Sequence, residues 1–197
     1  MNCKLLLAST NPGKLREIEP LLSGLVVELV TLERFPAIVA PDETGSTFEE
    51  NARAKARYYA AKTGLLTVAE DSGLEIDALG GAPGVQAARY GGVDAPYPEK
   101  FRLIYDALGA KGVSASAARF VCAVAVADND RIVFEARGTV EGSIAPAPKG
   151  EGGFGYDPIF FYPPFGCTLA QAGDRKSSVS HRGQAFRALR EFLNRFR

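Results

Sequence analysis

Residues 4–22, KLLLASTNPGKLREIEPLL, read as a strand, a polar loop and a helix in succession. Lys4 to Ala8 is a short apolar run suited to a buried strand. Asn11 is placed to cap a helix, and Pro12 fits the first helical position, where no amide hydrogen is needed. Leu15, Ile18 and Leu22 then recur at helical spacing. A helix N-terminus offers unpaired amides and the positive end of a dipole, which suit an anion such as phosphate. Ser9, Thr10, Asn11 and Lys14 add two hydroxyls, an amide and an ammonium around Pro12 and Gly13. The stretch is not a Walker A loop, because the G-x-x-x-x-G-K-[ST] spacing is absent. It reads either as an anion-binding loop or as a capped helix with a surface lysine.

Outward from this unit, strands and helices alternate and then give way to a hairpin. Thr47 and Glu50 form a capping-box pattern ahead of an alanine-rich helix that extends to Lys62. Leu65 to Ala69 predicts a second buried strand, ending in Glu70 and Asp71. The segment GGAPG at 80–84 is loop, and Pro98 to Leu108 is helical. Arg119 to Ala127 and Arg131 to Val140 are β-rich runs separated by the turn Asp128-Asn129-Asp130. A glycine-rich loop at 150–155 precedes a short aromatic strand. The closing helix runs from about His181 to Phe196, with Phe186, Leu189 and Leu193 on one face. Helical crossovers together with hairpins indicate an α/β protein with a mixed sheet. At 197 residues and 46% hydrophobic composition, without repeats or a linker, residues 1–197 form a single domain, with or without two lobes.

Charge and cysteine usage remove several functional classes. Lysine plus arginine and aspartate plus glutamate each number 23, so the net charge is zero. A neutral chain is poorly suited to gripping DNA or RNA, where phosphate neutralisation dominates affinity. Cys3, Cys122 and Cys167 are odd in number and lack C-x-x-C spacing, which predicts reduced, mostly buried thiols rather than disulfides or a zinc site. The N-terminus lacks a secretory pattern and no apolar stretch approaches ~18 residues, so neither export nor a membrane span is expected. The expected location is the cytoplasm.

Three further segments read either as carriers of chemistry or, in turn, as a solvated turn, a tight loop around a core phenylalanine and a structural histidine. Glu70-Asp71-Ser72-Gly73 places two acids after an apolar strand, where ligands of α/β sheets usually bind. Adjacent strand residues point to opposite faces, so one acid of the pair faces a given ligand. That carboxylate either holds magnesium or accepts a proton from an attacking water. Gly152-Gly153-Phe154-Gly155-Tyr156-Asp157-Pro158 combines glycines that permit close approach with an aromatic that can stack on a purine and an acid that can read a ring N–H. Lys176 through Ser180-His181-Arg182-Gly183 contains the single histidine and a dense donor set, suited to a purine carbonyl.

Taken together, ASTNPGKLREI, TFEENARAKA, AEDSGLEIDALGGAPGVQAARYGG, GGFGYDPIF and SHRGQAF resemble the inosine/xanthosine triphosphate pyrophosphatase family, in the family's order and across nearly the whole chain. The resemblance implies an elongated, two-lobed α/β fold with a long mixed sheet flanked by helices and a cleft between the lobes, assembled as a homodimer. It implies hydrolysis of non-standard purine nucleoside triphosphates (ITP, dITP and XTP) at the α–β phosphate link, giving a monophosphate and pyrophosphate and cleansing the nucleotide pool. The partner is thus a small nucleotide, with no nucleic acid polymer and no membrane. Carried over by position, Ser9, Thr10, Asn11, Pro12, Gly13 and Lys14 grip the triphosphate, Asp71 is the general base and Ser72 touches substrate. Phe154, Gly155, Tyr156, Asp157, Lys176, His181 and Arg182 hold the base. Magnesium sits on Asp71 and a nearby acid, with Glu43 preferred over Glu49 and Glu50. The family often has two aspartates where this chain has Glu70-Asp71, which leaves the role of Glu70 open.

The implied chemistry is physically coherent. A triphosphate carries about four negative charges, so a cation and a lysine must offset them before a nucleophile can approach. The rival readings are a pyrophosphatase for modified pyrimidine or standard triphosphates, and a nucleotide-sensing or RNA-binding module without turnover. The neutral charge and the presence of both Asp71 and Lys14 speak against the module.

Overall fold

A computed structural model of the chain describes residues 3–195. The strands are β1 (Cys3–Leu7), β2 (Val27–Thr31), β3 (Leu66–Ile76), β4 (Ala117–Asp128), β5 (Arg131–Ile144), β6 (Phe160–Tyr162) and β7 (Cys167–Thr168). The α-helices are α1 (Pro12–Leu22), α2 (Phe48–Thr63), α3 (Tyr97–Ala110), α4 (Lys176–Val179) and α5 (His181–Arg195). One sheet runs in the order β2-β1-β3-β4-β5-β6-β7. β1 pairs in parallel with β2 and with β3, while β6 is antiparallel to both β5 and β7. The mixed sheet expected from the pattern of crossovers and hairpins is present.

The chain divides into two compact units. Among the described residues, the first comprises 3–71, 122–138 and 181–195, and the second comprises 72–121 and 139–180. Each has its own apolar core. In the first, Leu5, Leu7, Ile18, Leu22, Val68, Val124, Phe186 and Leu189 are buried together, with α1 packed on α5. In the second, Leu74, Ile76, Ile104, Leu108, Phe120, Ile159 and Phe160 form the core.

Two cores explain where the predicted boundaries shift. β3 does not end at Ala69. It continues through Glu70 and Asp71 to Ile76, so both acids lie inside a strand. Val68 feeds the first core and Leu74 and Ile76 the second, and the polar residues between them hide the continuity. β4 and β5 are likewise longer than their apolar runs, and they meet at Asn129, which takes the left-handed conformation a tight hairpin turn requires.

Helix ends are capped locally. Asn11 accepts from the amides of Gly13 (2.9 Å) and Lys14 (3.2 Å) at the start of α1. Thr47 caps α2 through the Glu50 amide at 3.1 Å. The other half of the expected capping box is displaced by one residue, because the Glu50 carboxylate takes both the amide and the hydroxyl of Ser46, each at 2.8 Å. Cys122 is buried and Cys167 only half-buried, both as free thiols. The side chain of Cys3 and the expected last helical residue, Phe196, lie outside the described residues.

β5 approaches α5 closely at Gly138. A Cβ there would collide with the His181 carbonyl and lie 3.0 Å from the Ala185 amide nitrogen. Gly138→Ala should therefore cost ~1–3 kcal/mol of unfolding free energy in urea titration. Gly109→Ala, in α3 with nothing within 4 Å of the added carbon, should instead stabilise by up to ~1 kcal/mol.

Candidate active site

Glu70 and Asp71 are consecutive in β3, so the pleat sends their carboxylates to opposite faces. Asp71 meets α2. Its Oδ2 accepts from Asn51 Nδ2 at 2.9 Å, and its Oδ1 lies 3.5 Å from Lys55 Nζ. The same ammonium donates to Glu43 Oε1 at 2.6 Å. Asn51 Oδ1 in turn accepts from the Gly45 amide at 2.8 Å, so Asn51 and Lys55 both tie the loop carrying Glu43 to α2, in addition to the bonds made by Glu50 and Tyr58. Asn51 and Lys55 are four residues apart and share one face of the helix. Burial pushes the Asp71 carboxyl above its ordinary value, against the opposing pull of Lys55 and Asn51. Burial also works against the Lys55 ammonium, but Asp71 and Glu43 outweigh it and hold the lysine charged.

Glu70 faces the other way, into a cationic enclosure. Its Oε1 lies 3.1 Å from Lys14 Nζ and 3.2 Å from Arg182 Nε, and its Oε2 accepts from the Cys122 thiol at 3.1 Å. Arg182 extends the network through Nη1 to Glu17 at 2.6 Å. Both Glu70 and Arg182 are almost inaccessible to water, at 3% and 1%. Burial alone raises a carboxyl, but Arg182 and Lys14 overcome it and hold Glu70 far below the usual carboxylate range. Beside this anion the buried Cys122 thiol is pushed well above its usual value, so it stays protonated.

The loop before α1 is organised from within. Asn11 occupies the amides of Gly13 and Lys14, and Ser9 Oγ accepts from the Asn11 amide at 3.3 Å. Thr10, Asn11 and Pro12 are exposed, Ser9 and Lys14 are partly so, and Gly13 is buried. The two acids considered as alternatives to Glu43 are engaged elsewhere. Glu49 accepts from Arg137 at 2.6 Å, and Glu50 caps Ser46. Glu43 is the one that shares a cation with Asp71. Two carboxylates form a hard oxygen pair of the kind a small divalent cation takes together with substrate phosphates.

The second unit gathers a different set. Asp157 Oδ2 accepts from the Phe154 amide at 2.8 Å and from Lys176 Nζ, and that ammonium stands 4.9 Å from the centre of the Phe154 ring. Gly153 leaves no room for a side chain, because a Cβ there would enter the Asp157 carboxylate. Phe154, Asp157 and Lys176 are thus brought together. Tyr156 turns into the second core, where its hydroxyl donates to the Ala87 carbonyl at 2.8 Å and its ring meets Tyr97 edge-on. Gly155, next to it, lies near the Tyr97 hydroxyl, and Ser72 is half-buried in β3. His181 and Arg182 are the first residues of α5 and both are buried in the first unit. Asn51, Lys55, Glu17 and Cys122 carry no assignment from sequence. The readable signal was an asparagine and a lysine one turn apart in an otherwise alanine-rich helix.

This geometry sits in a chain with clear relatives. The profile of the Ham1 family matches residues 5–192. The chain belongs to the Ham1 family. The dITP/XTP pyrophosphatase of Exiguobacterium sp. is 46% identical over 94% of both chains, and that of Thermus thermophilus is 48% identical over 95% of this chain and 90% of its own. Among solved structures, a HAM1 protein from Coxiella burnetii superposes with a TM-score of 0.92 at 41% identity, covering 98% of this chain and 99% of its own. The Staphylococcus aureus Ham1 protein gives 0.87 at 34%, covering 98% and 100%. The α/β architecture with its mixed sheet is therefore the Ham1 architecture. No helix among the described residues is long and apolar enough to cross a membrane.

Removing the charge of Glu70 leaves Lys14 and Arg182 facing each other in the interior. Glu70→Gln should lower unfolding free energy by ~3–5 kcal/mol at neutral pH. Because the folded carboxyl titrates below the unfolded one, its contribution is complete above the ordinary carboxylate pKa of ~4.3 and is lost as pH falls through the folded value. The gap between wild type and Glu70→Gln in urea midpoints should accordingly be constant above about pH 5 and narrow in acid.

Proposed function

We propose that this chain, acting as one catalytic domain, hydrolyses non-standard purine nucleoside triphosphates of the dITP, ITP and XTP class to the monophosphate and pyrophosphate. The observation that carries this reading is the convergence of Glu43 and Asp71 on one cation, beside Asn51 and within a chain of the Ham1 family. The curated names of its relatives, dITP/XTP pyrophosphatase, supply the substrate class. The enzyme in this reading is a cytoplasmic homodimer acting on free nucleotides.

Magnesium bound by Asp71 and Glu43 would offset phosphate charge and ease the attack of water at the α–β link. Asp71 takes the proton from that water. Asn51 fixes the orientation of Asp71 by holding its second oxygen. Lys14 and the polar groups of Ser9 to Gly13 grip the phosphates, and Ser72 contacts the substrate. To do so, Lys14 exchanges part of its contact with Glu70 for a phosphate oxygen.

The base is read by the remaining residues. Phe154 offers a face for stacking, and Asp157 accepts from a ring N–H while holding Lys176 in place. Arg182 or Lys176 donates to the six-position carbonyl of hypoxanthine or xanthine, and His181 also contributes to holding the base. Adenine presents an amino donor there, and a site built for an acceptor can reject the mismatch by factors of ~10⁴ or more.

Asp71→Asn should keep the fold, judged by an unchanged unfolding transition, yet reduce pyrophosphate release from ITP by at least ~10²-fold. Turnover within a few-fold of wild type would remove Asp71 from the mechanism. Arg182→Ala should lower the ratio of kcat/KM for ITP over ATP by ~10-fold or more. A reduced melting temperature with an unchanged ratio would confine Arg182 to its internal pairing with Glu17 and Glu70.

A further inference from the structure

Lys55 occupies an unusual place for a lysine in a helix. Its ammonium is 2.6 Å from Glu43 Oε1 and 3.5 Å from Asp71 Oδ1, and only 12% of its side chain is exposed. The groups around it are the two carboxylates, with Asn51 holding the far oxygen of Asp71 and also the amide of Gly45. The carboxylates that pair with Lys55 are the same two assigned to the divalent cation. Magnesium takes carboxylate oxygens at ~2.0–2.1 Å, and a positive ammonium within ~4 Å of it is strongly repelled in a partly buried setting. One pair of carboxylates cannot hold both cations at full strength.

We propose that Lys55 is an internal competitor for the divalent cation: in the nucleotide-free protein its ammonium neutralises Glu43 and Asp71, and it must leave them before the ion binds. The inference rests on the assignment of the metal to Glu43 and Asp71. The nucleotide-free protein then holds divalent ions weakly, and the loop bearing Glu43 stays in place without one, because Lys55 and Asn51 already tether it. Lys55 lowers affinity for the free ion and, in exchange, keeps two neighbouring carboxylates from repelling each other.

The test is manganese binding to nucleotide-free protein, followed by the loss of the electron paramagnetic resonance signal of the free ion. Lys55→Met keeps the reach of the side chain without its charge, and it should bind manganese at least ~10-fold more tightly than wild type. Lys55→Arg, which keeps the charge, should resemble wild type. Equal or weaker binding by Lys55→Met overturns the proposal. Glu43→Gln and Asp71→Asn separate it from the metal assignment. If both bind manganese as wild type does, the ion lies elsewhere and the proposal falls with that assignment. If both lose binding while Lys55→Met matches wild type, the competition alone is wrong. Should Lys55→Met fail to fold, the wild-type protein offers a second measurement. Manganese alone should speed acetylation of Lys55, read by mass spectrometry, and an unchanged or slower rate overturns the proposal.

Discussion

A carboxylate removed from water sets the terms for the first unit. Glu70 is enclosed by Lys14 from α1, Arg182 from α5 and the Cys122 thiol from β4. A buried charge without partners is too costly to persist, so the strand and its neighbours must meet in one arrangement or leave that charge uncompensated. Arg182 also reaches Glu17, which binds the start of α5 to α1 a second time. The polar cluster therefore fixes elements that the apolar contacts of α1 and α5 merely bring near.

Once Glu70 is held, the pleat of β3 leaves Asp71 no choice of face. It must point toward α2, where Asn51 and Lys55 receive it. Two adjacent acids thus acquire opposite titration behaviour. Glu70, surrounded by cations, is ionised far into the acid range, whereas burial dominates for Asp71 and raises it. Such a separation of neighbouring carboxyls is how one site obtains a permanent anion and a usable base. Glu70 is held as an anion within the first unit, and Asp71 is the acid that meets Asn51 and Lys55.

The second unit repeats the device with different partners. Asp157 is buried and its charge is met by the Lys176 ammonium and the Phe154 amide. Gly153 is the residue that allows this closeness, since any side chain would displace the carboxylate. Lys176, drawn to Asp157, comes to lie over the Phe154 ring. An aromatic face, an acceptor and a donor are thereby collected on a short loop and a one-turn helix that have little regular structure of their own.

The opening strand–loop–helix, the mixed sheet and the capped start of α1 were legible in the sequence, because hydrophobic period and capping chemistry act over a few residues. The short elements β2 (Val27–Thr31), β7 (Cys167–Thr168) and α4 (Lys176–Val179) were not read from it. The segments bearing Asp71, Phe154 to Asp157 and Lys176 to Arg182 stood out in the sequence for a similar reason, since acids, glycines and clustered donors are local features of composition. The continuation of β3 through its acids was not readable, because its two ends are buried in different cores and the apolar alternation lapses between them. Nor was the partnership of Lys55 with Glu43 and Asp71, or of Arg182 with Glu17 and Glu70. These pairs join residues up to 165 positions apart. The sequence by itself determined which groups were available and which local elements carried them. Only the tertiary structure decided which charges met, because the energy of a buried ion depends on distance and desolvation, and neither exists until the chain has folded.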